Sequence, residues 1–217
     1  MKGLLAGRRM VVSAGPTYED IDPVRFIGNR SSGRMGFAIA EAAARAGAEV
    51  VLVAGPVHLA TPPGVRRSDI RSAAQLRDVV LQALPADIYV GAAAVADWTP
   101  RDPAARKLKK RPGVETLTLA LVRTPDVLAE VAAHPLRPRL VVGFAAETED
   151  LVANARAKLA SKRVDLVAAN RVGVPGSGFE SETNALTVID ADGERELGPA
   201  TKAALAATLV ELIAGRL

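Results

Sequence analysis

Two short apolar runs, each closed by glycine and proline, constrain the fold more than anything else in the chain. Met10-Val11-Val12-Ser13-Ala14-Gly15 precedes Pro16, and Glu49-Val50-Val51-Leu52-Val53-Ala54-Gly55 precedes Pro56. Continuous apolar runs of this length suit strands buried on both faces, as in a parallel sheet. Between them the alanine-rich run from Phe37 reads as a helix stopped by Gly47, a glycine placed just past the end. Strand, loop, helix and strand in succession make one βαβ unit.

The pattern then repeats. Helices are expected over Ser72–Leu84, Val127–Ala133, Asp150–Arg163 and Pro199–Arg216, the second opened by Thr124-Pro125-Asp126. Strands are expected over Asp87–Val95, Leu140–Ala145, Asp165–Asn170 and Asn184–Asp190, with a small alternating one over Val114–Val122. Strands alternating with helices, without hairpin signals in the core, imply the α/β class and a doubly wound, mainly parallel sheet. No linker or repeat interrupts residues 1–217, so a single domain is expected. Residues 97–123 form an excursion from the sheet, and 172–183 a long functional loop.

Composition excludes several chemistries. There is no cysteine, and the two histidines, His58 and His134, lie far apart, so neither a thiol nucleophile nor a histidine zinc site is expected. No apolar segment is long enough to span a bilayer, and Met1–Arg9 is too short and weakly apolar for a signal peptide. A cytoplasmic protein without membrane contact is the expectation. The net charge of +4 mildly favours anionic partners, but Asp and Glu are interleaved with most of the basic residues. The dense exception is Arg106-Lys107-Leu108-Lys109-Lys110-Arg111, in a loop bounded by Pro103, Pro112 and Gly113 that could close over a ligand. Nucleic acid is not the expected partner.

In such a sheet ligands bind beyond the carboxyl ends of the strands. That selects Gly15, the Asn29–Gly36 loop, Gly91–Asp97, Phe144–Glu147 and Asn170. The segment Gly28-Asn29-Arg30-Ser31-Ser32-Gly33-Arg34-Met35-Gly36 crowds small and hydroxyl residues where a helix must begin, with two arginines beside them. A phosphate site and a plain helix cap fit that segment equally well. There is no G-x-G-x-x-G after the first strand, no acidic residue ending the second, and no Tyr-x-x-x-Lys pair, which weakens a nicotinamide reading. Asn29 fits a local turn or the holding of a reacting carbonyl. Arg25 fits a surface residue or a bidentate phosphate clamp. Lys158 and Lys162, four apart on one helix face, repel slightly unless they share a polyanion. Asp97, at a strand end, fits a helix cap or burial beside a triphosphate and its Mg²⁺.

Together these residues resemble the phosphopantothenate–cysteine ligase family. The likeness is carried by Asp22-Pro23-Val24-Arg25-Phe26-Ile27-Gly28-Asn29-Arg30-Ser31-Ser32-Gly33-Arg34-Met35-Gly36 and Ala92-Ala93-Ala94-Val95-Ala96-Asp97. Lys107-Leu108-Lys109-Lys110, Thr124-Pro125-Asp126, Gly143-Phe144-Ala145-Ala146-Glu147-Thr148 and the Lys158/Lys162 pair complete it, in the family's order. The resemblance implies a Rossmann-like sheet with a flap, a homodimer with shared active sites, and a two-step reaction in coenzyme A biosynthesis. The carboxylate of 4′-phosphopantothenate attacks the α-phosphate of CTP, with Mg²⁺, giving an acyl-cytidylate and pyrophosphate; L-cysteine then displaces CMP. Eukaryotic members use ATP.

The same resemblance assigns roles. Asn29 matches the residue handling the acyl intermediate, and Lys107 the flap lysine of the first step. Arg25, Asn29, Ala93 and Ala94 match substrate contacts. Ser31, Gly33 and Gly36 match the triphosphate cradle; Gly15, Gly91, Ala92, Ala93, Asp97, Lys107, Pro125, Asp126, Val127, Leu128, Phe144, Lys158 and Lys162 match other nucleotide contacts. It names no metal ligands. Two departures stand out. Pro16 replaces a glycine common after the first strand, and the flavin-dependent decarboxylase half to which bacterial members are usually fused is absent. A stand-alone ligase and a domain of a longer protein both fit; Met1–Arg9 resembles the remnant of a linker, which favours the second.

Overall fold

The computed structural model describes residues 3–110, 112–113, 115–173 and 183–217. The elements run β1 (Arg9–Ala14), β2 (Tyr18–Asp20), β3 (Phe26–Gly28), α1 (Arg34–Arg45), β4 (Glu49–Ala54), β5 (Val65–Asp69), α2 (Ala73–Gln82) and β6 (Ile88–Gly91). They continue with β7 (Trp98–Pro100), β8 (Leu121–Arg123), α3 (Val127–Ala133), β9 (Leu140–Glu147), α4 (Leu151–Lys162), β10 (Leu166–Arg171), β11 (Thr183–Ile189), β12 (Glu194–Thr201) and α5 (Lys202–Ala214).

Eight strands form one sheet in the order β12-β11-β10-β9-β6-β1-β4-β5. From β5 to β10 all neighbours are parallel; β11 and β12 are antiparallel. The expected Rossmann-like, mainly parallel architecture is therefore observed. Because successive strand residues face opposite sides, each apolar run feeds two cores. Met10, Val12, Ala14, Leu52 and Val90 pack under α1 and α5, while Val11, Val51, Val53, Tyr89 and Val141 pack under α2, α3 and α4. The chain winds from β1 to β4 and β5 on one side, then from β6 to β9 and β10 on the other. The order reverses between β1 and β6, which is where such a sheet opens a crevice.

Several expectations change. α1 starts at Arg34, three residues before Phe37, because Gly33 takes a left-handed conformation (φ 73°) and turns the chain into the helix. The strand expected over Asp87–Val95 ends at Gly91, and that over Val114–Val122 survives only as β8, paired with β7. The helix expected from Pro199 begins at Lys202, since β12 occupies Glu194–Thr201 and Thr201 Oγ1 caps the Ala204 N–H at 3.2 Å. β11 and β12 form a hairpin around Asp190, whose Oδ1 accepts the N–H groups of Asp192 and Gly193 at 2.7 and 2.9 Å. Of the loop expected at 172–183, residues 174–182 lie outside the described residues, as do Arg111 and Val114. Residues 3–9 do not behave as a linker. Leu5 is fully buried and its N–H donates to the Ala46 carbonyl at 2.9 Å, while Arg8 pairs with Asp87 at 3.1 Å.

Candidate active site

A cavity of about 870 Å³ opens at the carboxyl ends of β1, β6 and β9. It gathers Asn29, Ser31, Gly33, Gly36, Gly91, Ala92, Ala93, Ala94, Asp97, Pro125, Asp126, Val127, Leu128, Phe144, Lys158 and Lys162 from far-apart stretches of chain. The expected residues Gly15, Arg25 and Lys107 are not part of its lining. Because α1 and α5 cover one face of the sheet and α3 and α4 the other, the cavity has two walls of different character.

The first wall is the start of α1. Asn29 Nδ2 donates to the Val95 carbonyl at 2.8 Å, and its amide oxygen accepts no hydrogen bond among the described residues; Ser31 Oγ accepts the Gly33 N–H at 3.3 Å. Gly33 brings no side-chain cap to the first turn, whose N–H groups have no acceptor within the helix. Arg30 and Arg34 flank it. Gly36 lines the cavity and is also required by packing. A Cβ there would sit 2.5 Å from Ala14 Cβ, so the glycine lets α1 seat against the end of β1. Gly15 (φ 78°) supports from behind: its Cα lies 3.4 Å from the place a Cβ on Gly33 would occupy.

The second wall is built by α3, α4 and β9. Asp126 caps α3 through the Ala129 N–H at 3.1 Å and pairs with Lys162. Burial pushes the Asp126 carboxyl up, but Lys162, the Ala129 amide and Lys158 outweigh it and hold the group below the usual carboxylate range. Lys158 Nζ donates to the Phe144 carbonyl at 2.6 Å. Burial pulls its pKa below that of an ordinary lysine, against the upward pull of Glu147, Asp126 and Asp97. The Lys158/Lys162 pair is thus partnered within the protein rather than left bare. Gly91 and Gly143 face each other across β6 and β9, and Leu128 fills the notch they leave. At the floor, Ser13 Oγ lies 3.2 Å from the Tyr89 hydroxyl and accepts the Ala93 N–H at 3.4 Å; burial pushes Tyr89 up to about 12.

Six cavity residues escaped the sequence reading: Ser13, Tyr89, Trp98, Asn184, Lys202 and Arg123, the last with its guanidinium 5.9 Å above the Trp98 ring. Lys202 is 7% exposed, and burial together with Arg34 lowers its pKa. One signal was present, since a lysine in the first turn of a helix opposes the helix dipole. Asp97 is exposed rather than buried, and its backbone carbonyl accepts the Thr124 N–H at 3.0 Å. Among the described residues, no three acidic or histidine side chains cluster as a metal site, and no helix is long and apolar enough to cross a membrane.

Arg25 and the Lys107 stem meet each other instead of the cavity. Arg25 Nε donates to Asp22 at 3.1 Å and its Nη2 to the Leu108 carbonyl at 3.1 Å; Lys107 itself is exposed.

Residues 5–217 match the family described as the DNA/pantothenate metabolism flavoprotein C-terminal domain. The chain is 46% identical over 211 residues to the coenzyme A biosynthesis bifunctional protein CoaBC of Vibrio cholerae, covering 97% of this chain and 53% of that protein. Identity to the Bacillus subtilis protein of the same name is 47% over 196 residues, covering 89% and 48%. The crystal structure of the C-terminal domain of a CoaBC protein superposes with a TM-score of 0.82 at 35% identity, covering 98% of this chain and 97% of that one. The chain therefore spans about half the length of the curated relatives it matches.

Proposed function

Because the chain belongs to the DNA/pantothenate metabolism flavoprotein C-terminal domain family, we propose that it joins 4′-phosphopantothenate to L-cysteine, with CTP as the activating nucleotide. The observation that carries this reading is the cavity with two unlike walls at the point where strand order reverses. Its volume suits a nucleotide together with part of an acyl substrate. First-turn amides with no acceptor inside the helix, Arg30 and Arg34 offer one wall to phosphates. The other wall, where Lys162 already neutralises Asp126, offers the Phe144 carbonyl and Lys158 to the base and sugar.

In the first step a carboxylate oxygen of 4′-phosphopantothenate bonds to the α-phosphorus, the bond to the β-phosphate bridging oxygen breaks, and pyrophosphate leaves. In the second, the cysteine nitrogen bonds to the acyl carbon, CMP leaves with the anhydride oxygen, and the amine sheds a proton. Asn29, fixed through Val95, holds the acyl phosphate in line for that attack. Lys107 and Arg25 offset the repulsion of two polyanions. Mg²⁺ would be carried by the triphosphate and neutralise phosphate charge, with Asp97 a cavity carboxylate that could meet it.

Since Arg25 and Lys107 lie off the cavity of their own chain, the second component of each site is proposed to come from a partner copy. Val24, Phe26, Trp98 and Leu121, all exposed and apolar on or beside the β2–β3 and β7–β8 ribbons, favour a twofold contact there. A fused decarboxylase half and a cytoplasmic setting belong to the same proposal. Pyrophosphate release from CTP, Mg²⁺, cysteine and 4′-phosphopantothenate tests the reading. Release that requires 4′-phosphopantothenate, and that CTP supports better than ATP, is expected. No release while a known ligase works would overturn it.

A further inference from the structure

Neither cavity wall uses the carboxylate of Asp22, although it is only 1% exposed. Oδ1 accepts the N–H groups of Val24 and Arg25 at 2.8 and 2.9 Å, which closes a local turn. Oδ2 does something else. It accepts Arg25 Nε at 3.1 Å, Arg25 Nη2, and the Leu108 N–H at 3.1 Å, a residue 86 positions away. Arg25 Nη2 also donates to the Leu108 carbonyl at 3.1 Å, so both backbone groups of Leu108 are held by the same pair. A further backbone bond, from the Ala104 N–H to the Ile21 carbonyl at 2.9 Å, stitches the flap stem to the same turn. The Arg25 guanidinium in turn holds the Asp22 carboxyl far below the usual carboxylate range, so the pair stays ionised.

A mobile basic loop needs no such anchor at its stem. With Nε and Nη2 turned toward Asp22, Arg25 is left with Nη1, which makes no hydrogen bond among the described residues and can meet an anion. Leu108 directly follows Lys107. We infer that Asp22 is a positioning residue that binds Arg25 and the Lys107 stem into one body, so that guanidinium and ammonium reach the reacting anions together. Asp22 touches neither substrate; it acts through Arg25 and Leu108. The anions themselves rest on the ligase reading above, whereas the joining of turn and flap does not.

Two variants of the 217-residue chain separate this from a purely local turn. Asp22→Asn removes the charge from both halves of the contact. Leu108→Pro removes the flap's N–H while the turn's own hydrogen bonds remain, and it lies on a surface loop, so it carries the test if Asp22→Asn does not fold. Each is expected to speed amide hydrogen exchange in residues 101–113 about tenfold or more, the scale of one lost hydrogen bond to a charged group, with exchange in β1 and β6 unchanged. Each is also expected to raise KM for 4′-phosphopantothenate and slow pyrophosphate formation about tenfold, with KM for CTP moving less than twofold. Unchanged flap exchange would overturn the inference, as would faster exchange with unchanged kinetics or equal losses for both substrates. A wild-type chain without ligase activity would sink the ligase reading, and the exchange measurement would still decide whether Asp22 joins the two segments.

Discussion

Lys158 Nζ donates to the backbone carbonyl of Phe144 at 2.6 Å, tying α4 to the open end of β9 with a cation kept partly out of water. The protein bears that cost in the ligand-free state, where a polyanionic ligand would repay it. Burial lowers the folded pKa of Lys158 below its unfolded value near 10.5. Between those two values the unfolded chain binds the extra proton, so this lysine makes stability rise with pH in that window. Lys158→Met should remove that rise, with slope no steeper than one proton, and weaken CTP binding about tenfold or more. Urea melts at several alkaline pH values and calorimetric CTP titrations check both; a parallel pH dependence in wild type and variant would contradict the account.

Glycines at the site differ in what they protect. At Gly36 an added methyl meets Ala14 Cβ at 2.5 Å, with backbone just behind it. At Gly143 it meets only the tip of Leu128, at 2.9 Å, and that side chain can rotate. Gly36→Ala should cost about 1–3 kcal/mol by forcing α1 off β1, and Gly143→Ala less than about 1 kcal/mol. Gly33→Ala should cost about 1–2 kcal/mol through its positive φ alone. Denaturant midpoints give the order, and Gly143→Ala as the most destabilising of the three would refute the packing argument.

Asn29 lines the cavity while Lys107 does not, which predicts complementation. Asn29→Asp and Lys107→Gln chains should each be inactive alone. Mixed and allowed to exchange subunits, half of the dimers would be hybrid, with one of two sites carrying both native residues. Activity should recover to about a quarter of wild type. A mixture as inactive as its parents would show that each chain completes its own site or that the chains do not pair.

The parallel centre of the sheet was legible because Val11, Val51, Val90 and Val142 sit in strands buried on both faces, which leaves uninterrupted apolar runs. α3 was legible to the residue through its Asp126 cap. The edge strands were not. β5 reads Val-Arg-Arg-Ser-Asp and β12 reads Glu-Arg-Glu-Leu-Gly-Pro-Ala-Thr, since an edge carries charge toward water and loses the apolar signature. The Asp192-Gly193 turn between β11 and β12 was readable in hindsight as a hairpin signal. The cavity residues contributed by strand ends followed from topology. The withdrawal of Arg25 and Lys107 did not, because it depends on Asp22 meeting Leu108 across 86 positions, and Lys202 entered through α5, outside every motif.

On the proposed function, an acyl-nucleotide forms in this cavity before cysteine reacts. Mass spectrometry of quenched mixtures of 4′-phosphopantothenate, CTP, Mg²⁺ and cysteine tests it with the two variants side by side. Asn29→Asp should still form the acyl-cytidylate but pass it poorly to cysteine, since the added carboxylate repels the phosphoryl oxygens. The anhydride should therefore accumulate with one pyrophosphate per site. Lys107→Gln should form neither anhydride nor pyrophosphate, with the first step slowed on the order of a hundredfold or more. Amide made by the wild-type chain with no anhydride trapped in Asn29→Asp, or both variants stalling before pyrophosphate release, would contradict the account.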